Sequence, residues 1–225
     1  MRVLVVSHRG IAHELGYLQP WLEAVASGGL RRTYREDGIA GLDLDEADLL
    51  VVLGSPGSVA TGHRTAPALA EIDLVRAWVL ADRPYLGICF GAQVLACALS
   101  GNVRRMPSTY RALAPVPLEA EAPSALAGPW LTWHEDAITR PAGATVLARA
   151  DHADLAFRQG RAWGLQPHIE VSAASLERML STLGVPEDQF RPCVEDMALQ
   201  ERGDDPPAGR VGRLLAAFAE EALGR

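Results

Sequence analysis

The sequence predicts an α/β fold built on an open, mostly parallel sheet flanked by helices, with a small antiparallel extension. Three observations predict it. Short unbroken runs of β-branched and leucine residues recur (VLVV, LLVVLG, YLGI), and such runs suit strands buried on both faces. Stretches with helical spacing separate these runs. Loops rich in Gly, Ser and Pro follow the runs at the ends where ligands bind in parallel sheets.

The elements follow in order. Val3 to Val6 reads as the first strand. PWLEAVASGG then reads as a helix, with proline near its start and two glycines at its end. A weaker strand pattern lies at Leu30 to Tyr34, and DLLVVLGSP repeats the buried-strand pattern before its Gly/Ser/Pro loop. Ala66 to Leu80 has the spacing of an amphipathic helix. Tyr85 to Ile88 reads as a short strand, Cys89 as a tight turn, and the next helix runs from about Gly91 with Gly101 as its C-cap. Residues 103–170 carry shorter strand-like pieces among Pro, Gly and Trp, the pattern of the antiparallel extension. Helices are expected over Ser172 to Leu183 and Arg210 to Leu223, with VPEDQFRP and ERGDDPPAG between them as loops. The 225 residues are expected to form one domain, 1–225, with a helical C-terminal tail from about 172.

Composition narrows the function. A hydrophobic content of 48% with 22% charged residues is that of a globular chain, and the net charge of -7 argues against nucleic acid or an anionic membrane as partner. There is no lysine, which excludes a Schiff-base or phosphate-loop lysine. Cys89, Cys97 and Cys193 form no C-x-x-C pair, so neither a disulfide framework nor a zinc site is indicated. No stretch approaches the roughly 18 to 20 apolar residues of a membrane span. A cytoplasmic protein is expected.

Three loops fall at the presumed ligand edge: Ser7-His8, Gly54 to Ser58, and Cys89-Phe90. The third is the most informative. In GICFGAQ a cysteine sits between strand and helix, where helix-start N–H groups favour a thiolate and stabilise developing negative charge. Gly87 and Gly91 supply the small residues that so crowded a turn needs. A G-x-C-x-G alone is equally compatible with a packed structural cysteine. GLQPHIE adds His168 and Glu170, which in an extended segment share a face, so Glu170 can orient His168 toward Cys89.

Together these motifs resemble the class I, or triad-type, glutamine amidotransferases in their GMP-synthetase-like branch. The family elbow G-x-C-x-G-x-Q is matched by Gly87, Cys89, Gly91 and Gln93. The family's Q-x-H-P-E is similar to Gln166-Pro167-His168-Ile169-Glu170, with the proline before the histidine instead of after it. VVLGSPGSV resembles the family's glycine-rich loop, with Ser55 where a glycine often stands, and LTWHEDAI resembles its S-H-x-D stretch. The resemblance covers about residues 1–180 and implies a flavodoxin-like fold in a stand-alone glutaminase.

It further implies a Cys89-His168-Glu170 triad that hydrolyses glutamine through a γ-glutamyl thioester. The oxyanion would be held by the Phe90 N–H and one from the loop Ser55, Pro56, Gly57. Gln93 and a Trp133-His134 loop would hold the amino-acid end. No metal or cofactor is called for, and the ammonia would pass to a separate synthetase. A γ-glutamyl hydrolase and a non-catalytic regulatory domain are the alternatives. Elsewhere, His134-Glu135-Asp136 reads as a substrate-contacting loop or a solvated turn, and Asp151-His152 as a surface loop. His8 reads as a satisfied loop histidine, Cys97 as core packing, and Cys193 as a residue in a proline-bounded loop without a role.

Overall fold

The structure, a computed structural model, describes residues 1–39, 42–61 and 65–224. Its strands are β1 Arg2–Ser7, β2 Gly29–Tyr34, β3 Leu49–Val52, β4 Tyr85–Ile88, β5 Asn102–Ala114, β6 Trp130–Thr139, β7 Thr145–Ala150, β8 Ala153–Gln159 and β9 Ala162–Leu165. Its α-helices are α1 Gln19–Val25, α2 Thr65–Leu80, α3 Phe90–Ala98, α4 Ala173–Thr182, α5 Glu187–Glu201 and α6 Pro207–Phe218.

A seven-stranded sheet has the order β2-β1-β3-β4-β9-β8-β7. Its first five strands pair in parallel, and β8 and β7 add antiparallel at one edge. The α/β expectation holds. Alternation shows why the apolar runs are continuous: Val3, Val5, Leu49 and Val51 face one core, and Leu4, Val6, Leu50 and Val52 face the other. Leu22 of α1 and Val211, Leu214 and Phe218 of α6 cover the first face. Val75 and Trp78 of α2 and Val94 and Leu95 of α3 cover the second.

The segment 103–170 divides its strands between two sheets. β5 and β6 form a separate antiparallel pair, whereas β7, β8 and β9 extend the main sheet and β9 lies parallel to β4. That pairing, Ile88 opposite Leu165, sets the ends of β4 and β9 side by side.

Two local expectations need correction. VPEDQFRP is not a loop: Pro186 caps α5, Glu187 and Asp188 occupy its first turn, and the helix continues through Pro192. A proline at a helix boundary and acids beside the N-terminal dipole are start signals, which outweigh the break suggested by the second proline. Cys193 therefore lies in a helix, half-buried beside Phe190 and Met197. At the end of α3, Leu99 is the C-cap and Ser100 takes the left-handed position at φ 64. Gly101 donates back to the Ala96 carbonyl at 2.7 Å, as the residue after the left-handed one does in a Schellman ending.

Candidate functional site

The turn between β4 and α3 presents Cys89. Its backbone lies at φ 52, ψ -106, a conformation that L-residues seldom adopt and that costs about 1–3 kcal/mol. Its N–H donates to the Leu165 carbonyl at 2.7 Å, binding the elbow to the end of β9. A Cβ on Gly87 would stand 2.6 Å from the Gly91 carbonyl, so the turn closes only with glycine there. The buried Tyr85 hydroxyl donates to that same Gly91 carbonyl at 2.8 Å.

The His168 N–H donates to the Leu131 carbonyl on β6 at 2.7 Å, and His168 Nδ1 lies 2.7 Å from Glu170 Oε1. With Nδ1 occupied by the carboxylate, Nε2 is the nitrogen left to act on a substrate or on the sulfur. The Glu170 carbonyl accepts from the Tyr17 N–H at 2.9 Å, which fixes the backbone beyond the histidine. Burial alone would lower the His168 pKa. The Glu170 charge and the charge and hydrogen bonding of Cys89 outweigh burial and hold the imidazolium well above the usual histidine value. Gly54 completes the packing, because a Cβ there would lie 3.2 Å from His168 Cε1 and 3.8 Å from the Cys89 Cβ.

Cys89 and His168 open onto a cavity of about 210 Å³, lined also by Ser55, Pro56, Gly57, Gln93, Trp133 and His134. Glu170 stands behind His168, and Phe90 begins α3 beside the cysteine. Gln93 is buried, with its Nε2 3.3 Å from Gln166 Oε1. Trp133 and His134 lie on strand β6, not on a loop, because LTWHEDAI pairs with β5 on both sides of a register shift at Glu135. Ser55 has no positive φ, so serine fits without strain where the family pattern has glycine. The Gly57 N–H donates to Ser55 Oγ at 3.1 Å. Ile169 is wholly buried in the core.

Sequence reasoning missed four kinds of contributor. Asp136 is buried, not part of a solvated turn, and accepts from Ser58 Oγ at 2.7 and 2.9 Å and from the Ala60 N–H at 3.1 Å, which anchors the glycine-rich loop. Arg105 on β5 enters the cavity wall, paired with Glu135 at 2.5 Å. Ile11 and Ala12 come from the segment after β1, whereas His8 pairs with Glu36 at 2.8 Å. Met179 and Leu183 close the cavity from α4 and its end. Strand alternation from Trp130 would have placed His134 and Asp136 on one face; the helical and β1 contributors carry no local signal.

His134 Nδ1 lies 2.7 Å from the Asp136 carbonyl, and its ring stacks on His152, centroids 5.3 Å apart. Tyr110 packs against both imidazoles, so His152 is half-buried instead of a free surface residue. Burial pushes the His134 pKa down to about 4. Among the described residues no group of three or more His, Cys, Asp or Glu side chains converges to hold a metal. Cys97 and Cys193 are half-buried, and burial raises both thiols.

Fold and site define a class: α/β proteins whose cysteine, on a strand-to-helix elbow, faces a histidine backed by a carboxylate. The family follows from comparison. The model of the glutamine amidotransferase class-I family matches residues 30–182, and the chain belongs to that family. It is 33% identical over 207 residues to the glutamine-hydrolysing GMP synthase of Aeropyrum pernix, covering 80% of this chain and 38% of that protein. The glutamine amidotransferase-like protein YfeJ of Salmonella typhimurium is 31% identical over 193 residues, 80% of each chain. The chain thus spans only 26% to 40% of the length of the GMP synthases it matches. A crystal structure of a glutamine amidotransferase from Thermotoga maritima superposes with a TM-score of 0.78 at 23% identity, over 98% of both chains. SMU.1228c superposes at 0.80 with 18% identity, over 98% of this chain and all of that one. Family membership implies a glutamine amidotransferase activity.

Proposed function

We propose that the chain hydrolyses the side-chain amide of glutamine by cysteine catalysis. The observation that carries this reading is the convergence of Cys89 and the His168-Glu170 pair on one cavity. The Cys89 sulfur attacks the γ-carbonyl carbon, and the negative charge passes to the carbonyl oxygen. The Phe90 N–H at the start of α3 is one oxyanion donor. The second comes from the glycine-rich loop, where Pro56 has no N–H, and is assigned to the amide of Ser55, which lines the cavity. One such donor contributes about 3 kcal/mol.

His168 delivers its proton to the departing ammonia, and Glu170 stabilises the imidazolium. Water deprotonated by His168 then cleaves the thioester to give glutamate and free Cys89. Gln93, Trp133 and His134 hold the amino-acid end. The strained elbow supports this reading, since it exposes the sulfur at the end of the sheet with the α3 amides behind it. Ammonia passes to a separate synthetase, a reading supported by the glutamine-hydrolysing GMP synthases that the chain matches over part of their length.

We further read 1–225 as one amidotransferase domain with a helical tail, working in the cytoplasm. In support, its three cysteines are free, and among the described residues no helix is long and apolar enough to cross a membrane.

Mass spectrometry after treatment with a glutamine-mimicking diazo-ketone tests the assignment: one adduct at Cys89 is expected, and Cys89→Ala abolishes ammonia release. Labelling of Cys193 instead would refute it. A second reading, hydrolysis of γ-glutamyl amides with an apolar substituent, is supported by the apolar wall of Ile11, Met179 and Leu183. Faster turnover of γ-glutamyl anilides than of glutamine would favour it.

A further inference from the structure

Arg35 follows β2 directly and is almost completely buried, its side chain 3% exposed. Its guanidinium makes four hydrogen bonds. Nε and Nη2 donate to the two oxygens of Glu71 on α2, each at 3.0 Å, and the Glu71 side chain is 1% exposed. Nη1 donates to the Gly54 carbonyl at 3.0 Å, and Nη2 reaches the Leu53 carbonyl at 3.3 Å. The guanidinium carbon lies 4.9 Å from the centre of the Phe90 ring. Neither Arg35 nor Glu71 lines the cavity.

These contacts reach both halves of the oxyanion site. The Gly54 carbonyl and the Ser55 N–H belong to one trans peptide, so the two dipoles point in opposite directions. A cation that grips the carbonyl from the buried side turns the N–H the other way, toward the cavity that Ser55 lines. It also polarises the peptide, which makes the N–H a stronger donor. The same guanidinium stacks on the side chain of Phe90, the residue whose N–H is the other donor.

We propose that Arg35, clamped by Glu71, is a positioning residue that aligns the two oxyanion donors. The proposal rests on the thioester mechanism above. A buried ion pair is an unreliable source of stability, because apolar residues of similar volume commonly replace one without loss. Lysine cannot reproduce the fork, since it brings a single point charge.

The test uses the full chain with two sets of substitutions, Arg35→Met with Glu71→Leu, and Arg35→Lys alone. Melting temperature, kcat and KM for glutamine, and the rate of Cys89 alkylation by iodoacetamide are measured. Alkylation forms no oxyanion. The paired substitution is expected to keep the fold, KM and alkylation rate while kcat falls by about 100-fold, the scale of losing one oxyanion donor. Arg35→Lys is expected to lower kcat at unchanged melting temperature, and it decides the matter should the pair fail to fold. A folded variant with wild-type kcat would overturn the proposal, as would equal losses in kcat and alkylation rate. Retained hydrolysis in Cys89→Ala would instead overturn the underlying mechanism, so the two failures are separable.

Discussion

Gly91 faces the Val52 carbonyl so closely that a Cβ would stand 2.2 Å from its oxygen. The obstacle is backbone of the central strand β3, which cannot swing aside as a side chain would. Gly91→Ala must push the start of α3 off the sheet, at a cost of about 3 kcal/mol or more. Calorimetry should show a lower melting temperature, and the displaced elbow should release little or no ammonia from glutamine.

Gly54→Ala tests the packing behind the reactive pair. Its Cβ would meet His168 Cε1 at 3.2 Å, tighter than ordinary contact, and the ring must retreat a few tenths of an ångström. Since a 1 Å misplacement can cost about 100-fold, a loss of about 10-fold in kcat is expected, with little change in melting temperature. Full activity in this variant would mean that the ring has slack.

The His168 pKa is raised above its ordinary value, chiefly by Glu170 against the opposing effect of burial. Protonation is therefore linked to folding: the contribution is complete below about pH 6.5 and is lost as pH rises through the folded value. Imidazole NMR should show His168 still protonated above the range of a free histidine. Glu170→Gln should shift that titration downward and lower kcat by about 100-fold or more.

His134 has the opposite sign. Burial lowers its pKa to about 4, so its contribution is present above about pH 6.5 and is lost as pH falls through 4, where the unfolded chain binds the proton first. The linked loss is at most about 3 kcal/mol. Denaturant midpoints measured from pH 7 to 4 should fall less steeply for His134→Gln than for the unchanged chain.

Much of this molecule was legible because its signals are local. VLVV, LLVV and YLGI are buried on both faces and read as what they are, and GICFGAQ and GLQPHIE carry Cys89 and His168, which meet at one cavity. What escaped was set by tertiary placement. Met179 and Leu183 look like ordinary residues of an amphipathic helix, and only the packing of α4 over β6 brings them to the cavity. Arg35 stands among charged residues, RRTYRED, that read as solvent-facing, and its burial depends on an acid one helix away. Pro192 misled because a proline inside a helix breaks the local rule but is tolerated in α5.

The pairing of β4 with β9 has a consequence for how the protein is made. Cys89 leaves the ribosome with β1 to β4, while β9 and His168, three residues beyond its end, are still to be synthesised. Cys89 and His168 therefore meet at the cavity only once β9 slots in beside β4, so a single strand pairing joins its two halves.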